Sequence, residues 1–517
     1  VAWLYSFESK EIQKYIMRSD KLKDMVGGSE LINQLCDSYL PAALKSMNVA
    51  NRCDIIAKAA GWARISFAEK QDAELLFSAW PFLVARFAPG LQVIQSLQEI
   101  HDGGLPAAIK VSADQLRYAR NLVSVSLPEI SPLVERNPRT GLAAVAYDER
   151  DSYLDRQSIR KRHYTDNASL VGKITGAEAQ KKLWPGTMED IAGDQQSYIA
   201  IIHADGNDLG KSLIALGQYL EKHRDKAADI YRGFSNAIEE STVEAVKRAF
   251  NLVIDKDFAE RKAEFFAARP IVLGGDDLTI IIRADMAFEF TVQFLEQFEI
   301  CSAAAVSKYL GAFNVSGLPG KLTACAGITL VKSSFPFSQG YELAESLCSY
   351  TKKIAKEKST ADGYVPSSFT FHKVTNSLAD DYEAVVANEM TVQHGETAKS
   401  LSFGPYSVGL SDNLLPRYSD MVELVRVLAD FPSGTIRTWI STLYADLNQA
   451  AAEFERLLQI AGKEKAAKLK DALTALTGET TDPLWSSTGA TPLRDAHEMK
   501  GIFRRDVFEK GENNAKR

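Results

Sequence analysis

The sequence predicts an α+β protein with two ferredoxin-like domains, a helical linker region between them and a helical C-terminal domain. Three observations predict it. The order β-α-β-β-α-β is read twice, over about 1–100 and 196–375, and that order is the split β-α-β arrangement. From about 412 onward the apolar period is helical throughout. The chain has 517 residues, 45% apolar and 25% charged, which is a globular composition and the length of roughly three or four domains.

In the first copy, residues 2–7 (AWLYSF) read as a strand and 9–47 as helix broken at Gly27-Gly28. Short apolar segments near 53–59 and 62–67 flank a small-residue turn. A helix over about 69–87 closes at Pro89-Gly90, before a strand at 91–95. Residues 101–195 connect the copies, punctuated by Pro128, Pro132, Pro138 and Pro185. In the second copy, strands are expected at 197–203, 270–273, 278–283, 322–331 and 367–373, with helices from 208, over 227–250, 285–310 and 338–357. The tail, assigned as one helical domain over 376–517, divides into helices at 419–430, 435–459, 463–476 and 493–510. Such an antiparallel sheet carries helices on one face, leaving the other for a ligand or the second copy.

Composition excludes several classes. Five cysteines (Cys36, Cys53, Cys301, Cys325, Cys348) form no C-x-x-C pair, which argues against a zinc ribbon or disulfide framework and fits a reducing, cytoplasmic location. No run of about 18 apolar residues is present, so no membrane span or membrane partner is expected. The charged N-terminal stretch does not read as a signal peptide. The net charge of −7 disfavours bulk electrostatic binding of nucleic acid. The local basic runs, Arg156, Arg160, Lys161 and Arg162, and then Arg504 and Arg505, read as solvated faces.

The two copies differ where chemistry would sit. The second copy's first strand ends in His203-Ala204-Asp205-Gly206-Asn207-Asp208, and its central hairpin turns on Gly274-Gly275-Asp276-Asp277. In this fold those two places are neighbours, so Asp205, Asp276 and Asp277 converge. Three carboxylates at one point repel one another unless a cation lies among them. Oxygen-only ligands suit Mg²⁺ or Mn²⁺, and two such ions can clamp the oxygens of a phosphoryl transfer. Gly206, Asn207, Gly274 and Gly275 would let the backbone approach a nucleotide. Asp208 reads as a helix cap. The first copy has Ala59-Ala60-Gly61-Trp62 at the hairpin, with Glu8 near the place of Asp205, so its acid pair is lost. Gly28 and Ser29 are its candidate nucleotide contacts.

These segments resemble a known family. HADGNDLGK, LGGDDLTII and ACAGITLVKSSFPF, ahead of a helix holding Lys352 and Lys353, are similar to the palm of the large polymerase-cyclase subunit of type III CRISPR effector complexes. The opening SFESKEIQKYIMRSDKLKDMVGGSELI resembles that family's first palm-like domain. More distantly, the palm is similar to GGDEF diguanylate cyclases and class III adenylyl cyclases. The resemblance implies two metal ions on Asp205, Asp276 and Asp277, a phosphate contact from Lys352, and synthesis of cyclic oligoadenylate from ATP. It implies work within a crRNA-containing effector complex with small subunits, activated by target RNA. Two departures stand out: the chain starts directly at the first palm, without an HD nuclease domain, and 101–195 holds no cysteine for the family's zinc module. A compact form of the subunit is therefore expected.

Two other readings compete: a non-catalytic nucleotide-binding scaffold in an RNA-guided complex, and a stand-alone cyclic dinucleotide cyclase. Intact Asp205, Asp276 and Asp277 favour catalysis over the scaffold, and GGDDL in place of GGDEF disfavours the diguanylate type. The two sheets are expected to face each other with two nucleotides between them and metal only on the 196–375 side, with Lys21 or Lys23 also available for phosphates.

Overall fold

The computed structural model describes residues 2–101, 103–122, 133–165, 169–176, 183–193, 198–360, 363–375, 381–394, 397–409 and 414–503. Pro128, Pro132, Arg504, Arg505 and the end of the helix expected over 493–510 lie outside them. Strand β1 (Ala2–Lys10) buries Leu4, Tyr5 and Phe7. Helices α1 (Ile12–Met17), α2 (Leu22–Gln34) and α3 (Leu40–Ser46) lead to β2 (Cys53–Ala59), β3 (Trp62–Phe67), α4 (Lys70–Phe87) and β4 (Gln92–Ile100). The sheet is antiparallel in the order β2-β3-β1-β4, with Phe7 opposite Ala63 and Glu8 opposite Trp62. One face packs Tyr5, Phe7, Ile65 and Phe67 against Leu31, Leu35, Leu76 and Trp80 of the helices.

Gly27-Gly28 does not break a helix. Both residues lie inside α2, where glycine costs about 1 kcal/mol against alanine. A Cβ on Gly27 would stand 1.8 Å from the Lys161 carbonyl oxygen, and one on Gly28 would stand 3.2 Å from the Lys161 side chain. The pair exists so that another helix can approach closely.

That helix comes from the linker region. Helix α5 (Gly104–Asn121) lies against β4 and buries Ala108 and Leu116. Next come β5 (Ala144–Asp148), β6 (Ser152–Asp155), α6 (Arg156–Tyr164), α7 (Ser169–Thr175) and α8 (Met188–Ala192). Asp155 caps α6 by accepting from the Ser158 amide at 2.9 Å. The basic run on α6 is not a solvated face. Lys161 is only 1% exposed and donates to the carbonyls of Tyr15 and Ile16 at the end of α1. Arg162 pairs with Asp24 at 2.9 Å and with Asp151 at 2.8 Å. The buried Asp151 also holds Lys21 and Lys23, so these lysines are committed to it.

The second sheet runs β14-β11-β10-β7-β9-β8. Its elements are β7 (Tyr198–Gly206), α9 (Leu209–Lys222), α10 (Ala227–Ala249), α11 (Lys256–Arg261), β8 (Ala268–Gly274), β9 (Asp277–Arg283), α12 (Ala287–Leu310), β10 (Ala324–Lys332), α13 (Phe337–Glu357) and β11 (Ser368–Lys373). Strand β7 is almost continuously apolar because both of its faces are covered. Ala200, Ile202 and Ala204 join the core that α10 and α12 build, whereas Ile199 and Ile201 pack with Phe337, Tyr341 and Ala344 of α13. A Cβ on Gly327 would stand 2.1 Å from the Ala344 carbonyl oxygen, so this glycine lets α13 lie directly on β10. Strand β11 follows as a fifth strand parallel to β10.

The tail is less uniformly helical than the sequence suggests. Helix α14 (Tyr382–Glu389) precedes a hairpin of β12 (Thr391–His394) and β13 (Thr397–Ser400), and β14 (Tyr406–Ser407) pairs with β11 at the sheet edge. These strands are too short for a period to be read. Then come α15 (Tyr418–Ala429), α16 (Ser433–Ala445), α17 (Leu447–Ala461), α18 (Lys463–Thr477) and α19 (Leu493–Lys500). The single helix expected over 435–459 is two helices, because Asp446 caps α17 by accepting from Asn448 at 2.8 Å and Gln449 at 3.1 Å. No helix among the described residues is long and apolar enough to cross a membrane.

The two sheets do not stack face to face. Helix α10 lies on β2, and α2 lies on β8. Each unit thus covers the other's sheet with a helix from the segment between its own first and second strands. Leu4 and Ile56 of the first sheet accordingly pack with Leu216, Ile230 and Phe234 of the second unit's helices. The two hairpins meet at the centre, where a Cβ on Gly274 would stand 3.1 Å from Ala60 Cβ.

Candidate active site

Strand pairing builds the site. Ala204 is opposite Leu278, so the next residue, Asp205, falls beside Asp277, the first residue of β9. Gly275 has φ +61°, the left-handed conformation this tight turn needs, and its carbonyl accepts from Thr242 Oγ1 of α10 at 2.6 Å. One carboxylate oxygen from each of Asp205, Asp276 and Asp277 lies within 4.8 Å of the others. Gly206 keeps the place open: a Cβ there would be 3.1 Å from Asp276 Cβ. Asn207 fastens the strand end, taking the Thr323 carbonyl at 2.8 Å through its amide and Thr323 Oγ1 at 3.0 Å through Nδ2. Asp208 does not cap α9 with its side chain; it pairs with Lys211 at 2.9 Å and Lys356 at 3.4 Å.

Three carboxylates in one half-buried place cannot all ionise freely. Burial, and then the neighbouring acids, push Asp276 up to about 8. Burial and the charge of Asp205 push Asp277 up to about 7. Asp205 stays below its usual value: burial opposes its charge, but a hydrogen bond from Asp276 and the Lys352 ammonium outweigh it. Lys352 donates to Asp205 Oδ2 and, at 2.8 Å, to the Gly206 carbonyl. Burial works against the Lys352 charge, yet Asp205 raises its pKa. Lys353 instead pairs with Glu383 at the surface, at 2.7 Å. The donor set fits a hard divalent cation: it is all oxygen, anionic, and holds protons that such an ion would displace.

Two cavities border the hairpin, and each is lined from both units. One, of about 430 Å³, is lined by Ser9, Gln13, Ser29, Asn33, Gly274 and Asp277. The other, of about 280 Å³, is lined by Glu8, Trp62, Arg64, Tyr231, Gly275 and Asp276. Ser29 borders the first, although its hydroxyl donates to the Ile271 carbonyl. Gly28 is not brought there, since Lys161 and Ile16 occupy its surroundings. In the first unit, register places Glu8 as Asp205, Gly61 as Asp276 and Trp62 as Asp277. Glu8 is paired with Arg120, and Arg64 lies 5.3 Å over the Trp62 ring.

Sequence reasoning passed over several neighbours. Glu345 acts on Asp277 from α13 and lies two turns before Lys352, a spacing that puts both on one helix face. His203 is buried and pushed down to about 4, so its imidazole is neutral; its Nδ1 meets Thr279 Oγ1 at 3.1 Å. Arg64 and Tyr231 come from different units, and no local pattern announces their meeting.

A split β-α-β sheet whose first strand and central hairpin bring together an aspartate and a Gly-Gly-Asp-Asp turn is a palm domain. Residues 198–362 match the family described as Cas10/Cmr2, second palm domain. Solved structures with similar chains include Csm1 in T. onnurineus, at 16% identity over 97% of this chain and 69% of that one, with a TM-score of 0.47. A Csm1-Csm4 cassette in complex with pppApA is 14% identical over 97% of this chain and 69% of that one, at a TM-score of 0.45. A Csm1-Csm4 cassette in complex with cA4 is 14% identical over 69% of this chain, at a TM-score of 0.40, and there this chain spans 53% of the relative's length. No curated protein matches.

Proposed function

We propose that this chain is a nucleotidyl cyclase that joins ATP molecules into a cyclic oligoadenylate, using the palm at 198–362, within a type III CRISPR-like effector complex that target RNA activates. The observation that carries this reading is the convergence of Asp205, Asp276 and Asp277 within 4.8 Å at the border of two cavities. A binding scaffold has no need of three mutually repelling acids, two of them held above their ordinary pKa at a cost to folding.

Asp205, Asp276 and Asp277 would hold one or two Mg²⁺ or Mn²⁺ ions, which when bound offset phosphate charge and favour ionisation of an attacking hydroxyl. The residues of the chain supply position. Gly274 and Gly275 present backbone without side chains to the two cavities, so a triphosphate can lie close to the hairpin. Lys352 is the ammonium beside the cluster and is placed to meet a phosphate oxygen. Trp62 and Tyr231 line the smaller cavity, with the Arg64 guanidinium over both rings, so Arg64 is the group a base there would meet. With one nucleotide on each side of the hairpin, the 3′-hydroxyl of one attacks the α-phosphorus of the other. The new P–O bond forms as the α–β bridge breaks, pyrophosphate leaves, and the hydroxyl proton passes to solvent. Both cavities are walled by one chain, so the reaction needs no second copy.

Incubation of the purified chain with each labelled nucleoside triphosphate and Mg²⁺ or Mn²⁺, with and without copurifying RNA, tests the reading. Conversion of ATP in preference to GTP is expected. Equal or better turnover of GTP would move the protein to the diguanylate type, and no turnover with RNA present would favour the scaffold.

A further inference from the structure

A second cavity system lies far from the acids. Strand β11 starts at Ser368, whose β10 partner Cys325 is also the partner of Asp205, and ends at Lys373. Five residue steps place Lys373 roughly 16 Å along the sheet, at the opposite end from the cluster. There a cavity of about 450 Å³ opens between the end of β11, α16 and α19. Lys373, Arg437, Arg494 and Lys500 line it, and Glu498 is the one acid among its lining residues. A surplus of three positive charges is concentrated here in a chain whose net charge is −7.

The cations come from three elements, so this is not the solvated stripe of one helix. Lys373 is set by Glu498 at 3.1 Å. Lys500 donates to the Leu428 and Phe431 carbonyls at 2.6 and 2.9 Å, which keeps its charge at the end of α15 beside the cavity. Arg437 is exposed and makes no ion pair among the described residues. One turn before it on the same face stands Ser433, the first residue of α16, also at the cavity. That helix has thirteen residues, no side-chain cap and no acid in its first turn; the Thr435 amide donates to the Pro432 carbonyl at 3.1 Å, which leaves the amides of Ser433 and Gly434 for an outside acceptor. Helix amides, guanidinium and ammonium groups around one concavity are the components of a phosphate site. His497 is the one aromatic side chain among its lining residues, and no Phe, Tyr or Trp lines it to sandwich a base.

We propose that this cavity binds the phosphate groups of a polyphosphate or phosphodiester ligand, through charge and helix amides and without reading a base. The site shares no residue with the acid cluster, so it stands or falls independently of the proposed cyclase activity.

The test uses the full chain in EDTA, where the acid cluster repels phosphate. Titration with inorganic tripolyphosphate, and separately with a short fluorescent oligouridylate, should show binding. Arg437→Glu should weaken it about tenfold or more and reduce the slope of log affinity against log salt by about one. Ser433→Asp should also weaken it while leaving or raising the melting temperature, since an acid in the first turn favours the helix. Loss of both probes with Arg437→Glu, and their mutual competition, identifies a nucleic-acid backbone as the source. Loss of tripolyphosphate binding alone identifies a free polyphosphate nucleotide. Failure of the wild type to bind either probe, or equal binding by wild type and both variants, overturns the proposal.

Discussion

The two sheet units share the order of their first four strands and differ, where the first strand meets the hairpin, at three positions. Where the second unit has Asp205, Asp276 and Asp277, the first has Glu8, Gly61 and Trp62. In the first unit the remaining acid is balanced by Arg120, and the hairpin strand begins on an aromatic ring under Arg64. In the second, three acids face one another with Lys352 as the cation that donates to Asp205. The first arrangement is at rest electrostatically; the second is held together against repulsion by the fold around it. In the proposed function, chemistry and support are divided between two copies of one architecture. The supporting copy still walls both cavities.

The largest effect expected from breaking this asymmetry is on turnover. Asp276→Ala combined with Asp277→Ala should reduce labelled ATP conversion by at least about a hundredfold, because phosphoryl transfer here depends on charge stabilisation. Circular dichroism should be unchanged, since the hairpin tip adds little to the core. Asp205→Asn should behave alike. Retention of more than a few per cent of activity by the double variant would show that the acids are not the metal site.

Grafting the acids onto the first unit should not create a second centre. Gly61 has φ +84°, and a Cβ there would be 2.6 Å from Ile12 Cδ1. Gly61→Asp with Trp62→Asp should therefore destabilise the chain by about 1–3 kcal/mol, read as a lower melting temperature, and should not rescue the Asp276→Ala, Asp277→Ala variant. Rescue would mean that the two units are interchangeable.

A smaller effect concerns pH. Asp276 and Asp277 titrate at about 8 and about 7 in the folded chain, above the ~3.9 of an unfolded aspartate. Between roughly pH 4 and pH 8 the folded state binds more protons, so in EDTA the acids' contribution to stability falls as pH rises. Asp276→Asn should raise the melting temperature at pH 8 and change it little at pH 4. Added Mg²⁺ should stabilise the wild type more at pH 8 than at pH 5, because binding displaces protons. A Mg²⁺ effect independent of pH would contradict the shared-proton picture.

The smallest effect contrasts a buried charge that serves structure with those that serve chemistry. Burial pushes Lys161 down to about 8, below its unfolded value near 10.4. Between those pH values the unfolded chain binds more protons, so this lysine's contribution makes the fold more stable as pH rises. Lys161→Met should remove that rise, about 1 kcal/mol per pH unit between roughly pH 8 and pH 10 in the difference between variant and wild-type denaturation curves, and leave ATP turnover unchanged. A parallel pair of curves would indicate that folding leaves the Lys161 pKa at its ordinary value.

Local pattern in the sequence determined the strand order of both units, the meeting of HADGND with GGDD, and the loss of acids at Gly61-Trp62. Each depends on spacing of two or on residues adjacent across one hairpin, and such information is carried within a few positions. Tertiary structure alone decided which helix covers which sheet, and with it the fate of many polar residues. Gly27-Gly28 looks like a helix break until Lys161 is seen packed against it, and Lys161 looks solvated until Tyr15 and Ile16 close over it. Lys21 and Lys23 were free for phosphate on the sequence, but Asp151, some 130 positions away, takes both. Asp446 carried a local cap signal within an apolar period that continues across it. The physical reason is common to these cases: a side chain's desolvation and partners are set by surfaces that meet only on folding, whereas strand alternation and turn chemistry are set by covalent neighbours.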